Sequence, residues 1–324
     1  MRARLGLGLD LGAVLLLGGC FGATIDSTAP VDVVRPGTWA TLAPMPTARQ
    51  EVAVAAVEGR VWVIGGFGPG AEPSAQVEVY DPAGNHWEGR APLPVPTHHP
   101  AAAAVGDRLF VIGGYTGGRV RWTASQAVWE YDRGRNAWAP RTAMPSARGA
   151  LAVAVLGDRI HAVGGSADSL SQAHEVYDPA ADRWRAANPL PTARDHLAAV
   201  AFQGRLWVLG GRTSFMGTQL GTVEIWDPAA DAWRVGPALP EGRGGIAAAA
   251  LPDRILVFGG EAPLRIFNST EMYDVAGNRW IAKAAMLTAR HGIGAAVVDR
   301  RVYIPGGGRR PGFAATDVNE AYVP

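Results

Sequence analysis

The chain has 324 residues, 48% of them hydrophobic, with 42 glycines and 24 prolines; this is too apolar for a disordered polymer and suits many short strands joined by tight turns. Setting aside Arg2, Arg4 and Asp10 leaves 28 basic and 28 acidic side chains after residue 20. A neutral body of this kind offers no general electrostatic attraction for DNA, RNA or an anionic lipid surface.

Residues 1–20 carry two arginines, a Leu- and Gly-rich run interrupted by Asp10, and the small pair Gly18-Gly19 before Cys20. The pattern predicts an export signal, and its apolar run is too short to span a bilayer. Leu17-Gly18-Gly19-Cys20 resembles the bacterial lipobox, which implies lipidation of Cys20 and anchoring to the outer or plasma membrane of a bacterial envelope. Cys20 is the sole cysteine, so no disulfide is expected. Residues 21–37, with Pro30 and Pro36 and no strand pattern, read as a tether reaching at most about 55 Å.

From residue 38 onward the sequence repeats. Gly-Gly recurs at Gly65-Gly66, Gly113-Gly114, Gly164-Gly165, Gly210-Gly211, Gly259-Gly260 and Gly306-Gly307, with spacings of 48, 51, 46, 49 and 47. Each pair ends a short apolar run such as Val61-Trp62-Val63-Ile64. An aromatic-Asp step follows five of the six pairs, at Tyr80, Tyr131, Tyr177, Trp226 and Tyr273, and seven residues after each aromatic comes a tryptophan: Trp87, Trp138, Trp184, Trp233 and Trp280. A fixed period of this length signals a repeat architecture.

Gly-Gly, then Tyr-Asp-Pro, then Trp resembles the kelch repeat, and the resemblance runs from Trp39 to the C-terminus. Trp226 stands in place of Tyr, and Arg133 and Val275 in place of Pro. The resemblance implies an all-β, six-bladed β-propeller over residues 38–324, each blade a four-stranded antiparallel sheet with an Ala-rich inner strand a and the Trp on outer strand d. The sixth Gly-Gly is followed by Tyr322 but no Trp, while Trp39 has no repeat before it. Trp39 is therefore expected to supply the outer strand of the last blade and close the ring, giving a monomer without open sheet edges.

Strand direction puts the long b–c loops and the d–a loops on one face, which makes that face the place for a site. Thr47-Ala48-Arg49, Ser146-Ala147-Arg148, Thr192-Ala193-Arg194, Glu241-Gly242-Arg243 and Thr288-Ala289-Arg290 precede strand a, and the second repeat has Thr97-His98-His99. Arg49, Arg148, Arg194, Arg243 and Arg290, with His98, His99 and Arg212, are thus candidates to ring the channel mouth and grip a ligand carboxylate. The alternative, a frequent use of this position in kelch proteins, is that the arginines bond loop carbonyls and neighbouring blades. Phe67, Tyr115, Trp122, Phe215, Phe267 and Phe313 lie on the same loops and can stack on sugar rings or peptide side chains or pin their loops down; Trp122 beside Arg121 is the foremost.

Galactose oxidase is built on kelch blades, yet its crosslinked cysteine has no counterpart after Cys20, and His86, His98, His99, His161, His174, His196 and His291 follow no metal-ligand spacing. No metal or cofactor is expected, and adjacent His98 and His99 should point to opposite faces of a strand. Bacterial sialate mutarotases are also six-bladed kelch propellers of similar length, and such a reaction needs an acid, a base and a cation for the substrate carboxylate; the expected loop face offers Glu261 as acid or base, the alternative being a solvated loop residue, and Arg194, Arg212 or Arg243 as the carboxylate grip. The leading expectation is a non-catalytic module that binds a glycan or protein on its loop face, with sugar-acid mutarotation as the alternative.

Overall fold

The computed structural model describes residues 37–118, 121–214 and 217–324. The export signal, Cys20 and nearly all of the tether lie outside them, as does Phe215. Among the described residues the chain is all-β, with no helix long and apolar enough to cross a membrane.

Six four-stranded antiparallel sheets follow the sequence period. The first blade is β2 (Ala53–Val57), β3 (Arg60–Ile64), β4 (Val77–Asp81) and β5 (His86–Arg90). The second is β6 (Ala101–Val105), β7 (Arg108–Ile112), β10 (Val128–Asp132) and β11 (Ala137–Pro140), with the small hairpin β8 (Tyr115–Thr116) and β9 (Thr123–Ala124) in its b–c loop. Blades three and four use β12 to β15 (152–186) and β16 to β19 (198–235). Blade five takes β20, β21, β24 and β25 between residues 247 and 282, and carries a second loop hairpin, β22 (Glu261–Ala262) with β23 (Arg265–Ile266).

The inner strands are Ala-rich and alternate between buried and half-buried positions, as in β2 and β20. Each second strand is a continuous buried run, as in Val61-Trp62-Val63-Ile64, because neighbouring blades cover both of its faces.

The sixth blade is β26 (Ala296–Val298), β27 (Arg301–Pro305), β28 (Asn319–Val323) and β1 (Thr38–Thr41), with Trp39 opposite Tyr322 in the β1–β28 register. This is the closure expected from the unmatched Trp39. Its indole N–H donates to the carbonyl of Ala284 in blade five at 2.8 Å. The other five outer-strand tryptophans do the same toward their own preceding blades: Trp87 to Ala43, Trp138 to Ala91, Trp184 to Thr142, Trp233 to Asn188 and Trp280 to Pro237, at 2.8–2.9 Å. The repeat tryptophans are therefore inter-blade fasteners.

The repeat tyrosines also have one task. Tyr80, Tyr131, Tyr177 and Tyr273 donate to the side-chain oxygen of Asn85, Asn136, Asp182 and Asn278 five residues on. Trp226 keeps that bond with its indole N–H on Asp231 at 2.9 Å, which explains why the substitution is accepted.

Candidate functional site

Where each chain segment enters strand a, three consecutive positions divide the work. The first is the arginine. Arg49, Arg148, Arg194, Arg243 and Arg290 are all fully buried, each paired with a glutamate on the third strand of its own blade. The N–O distances are 2.7 Å for Arg49–Glu78, 2.7 Å for Arg148–Glu175, 2.5 Å for Arg194–Glu224 and 2.8 Å for Arg290–Glu320, and Arg243 pairs with Glu271 likewise. Four of them also donate to the carbonyl of the first glycine of a Gly-Gly pair, as Arg49 does to Gly65 at 2.8 Å. The five arginines are therefore wall components. Their expected place at the channel mouth is corrected: each guanidinium is buried in the wall and turned onto a carboxylate of its own blade, and none of the five lines the cavity.

The second blade breaks the pattern at both partners. Thr97 occupies the arginine position, because the peptide N–H of Gly66 bonds its carbonyl as Gly114 bonds that of Arg148, each at 2.9 Å. Trp129 stands in the β10 register where the other blades carry the glutamate. His98 and His99 thus belong to the two positions after the arginine.

The third position is left-handed in every blade: Glu51 (φ 54°), His99 (52°), Ala150 (51°), His196 (52°), Gly245 (63°) and Gly292 (57°). That conformation turns each peptide N–H onto the carbonyl of the equivalent residue in the preceding blade. Glu51 donates to Gly292, Gly292 to Gly245, Gly245 to His196, His196 to Ala150, Ala150 to His99 and His99 to Glu51, at 2.8–3.1 Å. The six bonds form a closed ring around the propeller axis. Below it Val52, Leu151, Leu197, Ile246 and Ile293 narrow the channel to a void of about 80 Å³, which gives the mouth an apolar floor.

Above the ring lies a cavity of about 520 Å³. Its lining comes from the left-handed position, from the one before it, from the residue after Gly-Gly, and from the b–c loops that carry Trp122 and Phe313; the second and third of these pair across short bridges, as in His98–Tyr115, Asp195–Arg212 and Gly244–Glu261. Glycines in the same rings make the room. A Cβ on Gly149 would fall 2.2 Å from the Tyr115 ring, and one on Gly308 would fall 2.3 Å from His291 Nε2.

The cavity has two unlike walls. Phe67, Tyr115, Trp122 and Phe313 line one part of it. Phe67 stacks on His98 at 3.9 Å between centroids, and Trp122 packs edge-on against His98 at 4.7 Å and against Phe67 at 5.7 Å. Trp122 and Phe313 keep 40% and 43% of their surface exposed, so apolar faces remain open to a ligand. Phe267 is buried beneath the Arg265 guanidinium, 4.4 Å from its ring centroid, and pins its loop instead.

Ser166, Asp195, Arg212, Glu261, His196, His291, Glu51 and His99 make the polar part. Arg212 reaches Glu261 at 2.6 Å, Asp195 at 3.4 Å and His196 Nε2 at 2.8 Å. His291 Nδ1 sits between Glu51 (3.4 Å) and Glu261 (3.3 Å). Burial opposes its protonation, but the two carboxylates win and hold the imidazole above its usual range. Burial likewise works against the charge on Glu51, yet the imidazoles around it, His291 with its proton toward Glu51 among them, keep its carboxyl well below the ordinary value. Asp195 is held down to about 2, burial being outweighed by His196, Arg212 and Ser166. Burial drives His99 the other way, well below the usual imidazole range.

Of the residues expected at the site, Glu261, Arg212, His99 and Trp122 line the cavity. His98 is fully buried beneath the aromatic wall. The two neighbouring histidines are not on opposite faces of a strand: they lie in the loop before β6, His99 is left-handed, and their Nδ1 atoms are 2.7 Å apart. Glu51, Asp195, His196 and His291 were not singled out by sequence reasoning. All four follow the repeat arginine directly, at one or two residues' distance, and that offset was the signal available.

The fold and its axial mouth define a six-bladed kelch-type propeller. A family profile for the KLHDC2/KLHL20/DRC7 Kelch-repeats domain matches residues 13–211, and Kelch motifs match 193–240 and 242–287; the chain belongs to the kelch-repeat family. An F-box/kelch-repeat protein of Arabidopsis thaliana is 36% identical over 80 residues, which are 24% of this chain and 21% of that protein, so the match spans about a fifth of the relative's length. The solved structure of YjhT superposes with a TM-score of 0.74 at 16% identity, over 86% of this chain and 96% of that one. At that identity the likeness concerns the fold.

Proposed function

We propose that this propeller binds a small, uncharged saccharide in its axial mouth, held at a bacterial envelope through lipidated Cys20. The observation that carries the reading is the two-sided cavity, in which half-exposed Trp122 and Phe313 face carboxylate, imidazole and guanidinium groups. Sugars present the matching pair of surfaces, C–H faces that stack on aromatic rings and hydroxyls that bond charged side chains. Charge selects the neutral sugar over a sugar acid. Three carboxylates face Arg212 and His291, and the guanidinium is already engaged by two of them.

A ligand-observed NMR screen of neutral and acidic monosaccharides tests this. Neutral sugars should give the stronger saturation-transfer signals, and Trp122→Ala should weaken the best of them about tenfold while the variant still melts cooperatively. A preference for acidic sugars, or an unchanged affinity in Trp122→Ala, would count against it.

A second reading, sugar ring opening and reclosure, is favoured by His291 lying between Glu51 and Glu261. One group can take a proton while its neighbour gives one. Faster exchange between anomers, lost in Glu261→Gln while binding persists, is the expected result; exchange at the uncatalysed rate removes this reading and leaves the binding one standing. The tether has its own check. Metabolic labelling with a fatty acid should mark the wild-type chain and not Cys20→Ser, and equal labelling of both would exclude acylation at that residue.

A further inference from the structure

Glu51, His99 and His196 share a property that the saccharide reading does not use. They occupy the same left-handed ring position in blades one, two and four, where blades five and six carry glycine. A left-handed backbone strains a non-glycine residue. Three residues able to bind a metal are placed there, all buried, and one ligand atom from each lies within 4.8 Å of the others. Their common ring position aims them at the axis, so they converge although they are 48 and 97 positions apart in sequence.

We propose that Glu51, His99 and His196 form a two-histidine, one-carboxylate site for a borderline divalent cation such as Zn²⁺ or Fe²⁺. This donor set suits those metals, and metal–ligand distances of about 2.0–2.2 Å require the three donor atoms to draw in from their present spread of up to 4.8 Å. The surroundings already hold the imidazoles as metal-bound histidines are held. Asp195 Oδ1 is 2.9 Å from His196 Nδ1, which leaves Nε2 for the ion. His98 Nδ1 is 2.7 Å from His99 Nδ1, which leaves His99 Nε2, itself 3.2 Å from Glu51 Oε2, for the same ion.

One competitor is present. Arg212 Nη2 lies 2.8 Å from His196 Nε2 and must withdraw onto Glu261 and Asp195, both of which it already contacts. With three protein ligands the remaining coordination positions open into the cavity, where a ligand hydroxyl can enter.

Co²⁺ is the probe, since its visible spectrum reports ligand type and number. Titration into chelator-treated full-length protein should show one equivalent bound with the bands of a low-coordinate nitrogen–oxygen site. Zn²⁺ should displace it and raise the melting temperature. His99→Asn and His196→Asn, which suit a left-handed backbone, should each weaken Co²⁺ binding at least 100-fold while still melting cooperatively. His86→Ala, on an exposed outer strand, should bind as wild type does. Failure to bind Co²⁺ at millimolar concentration, or unchanged binding in both asparagine variants, overturns the proposal. If those variants do not fold, anomalous diffraction from Co²⁺-soaked wild-type crystals decides: a peak between the three residues supports the site, and a peak only elsewhere refutes it.

Discussion

Arg148→Thr should destabilise the propeller by about 3–5 kcal/mol, the usual cost of leaving one member of a buried ion pair without its partner. Arg148 is buried against Glu175 at 2.7 Å and donates to the carbonyl of Gly164 at 2.6 Å. The loss therefore combines an unpaired carboxylate with an unbonded loop. Blade two supplies the control, because it carries Thr97 and Trp129 where the others carry Arg and Glu. The double variant Arg148→Thr/Glu175→Trp should recover a large part of the lost stability, giving a strongly non-additive cycle in urea unfolding. A single variant as stable as the parent, with saccharide affinity lost instead, would return the arginines to the role of ligand contacts.

Removing residues 38–43 should have the larger effect. It deletes β1, whose four register pairs with β28 close the last blade, together with the Trp39–Tyr322 contact at 5.1 Å and the indole bond to Ala284. β28 would then present an unpaired edge. Aggregation and loss of a single cooperative melting transition are expected. Trp39→Ala keeps the strand and should fall near the low end of the roughly 3–5 kcal/mol typical of such truncations, since Trp39 is only half-buried. A truncated chain that melts as the parent does would show that closure lies elsewhere.

The architecture was legible because each of its devices repeats. The second glycine of each Gly-Gly pair donates its N–H to a carbonyl of the next blade, and a Cβ on Gly65 would sit 2.5 Å from the Thr97 carbonyl oxygen. A collision that recurs six times leaves glycine six times in the sequence. Tyrosine and tryptophan repeat for the same reason: the outer-strand tryptophan makes one inter-blade bond in each of the six blades, and the tyrosine bonds an Asn or Asp five residues on in four of them.

The site is written in the opposite way. Its residues occupy repeat positions where the fold needs only a backbone bond, so the side chain is free to differ from blade to blade. Glu51, His99, Ala150 and His196 make the same inter-blade hydrogen bond with three different kinds of side chain. No spacing motif relates them, since convergence comes from the six-fold ring. The arginines repeat, and in this fold repetition marks structure, so of the two readings their position offers, burial and bonding to loop carbonyls support the structural one. Their structural role was also visible in sequence: Glu78, Glu175, Glu224, Glu271 and Glu320 accompany them in five repeats, and both partners are replaced in the second.

The central claim is that recognition belongs to the variable ring and its aromatic wall, while the repeated arginines only hold that ring in place. Calorimetric titration of the best neutral saccharide from the NMR screen into wild type, Trp122→Ala and Arg148→Thr/Glu175→Trp tests it most directly. Affinity should fall about tenfold in Trp122→Ala and stay unchanged in the double variant. Full affinity in Trp122→Ala, with binding abolished in a stably folded double variant, would contradict it.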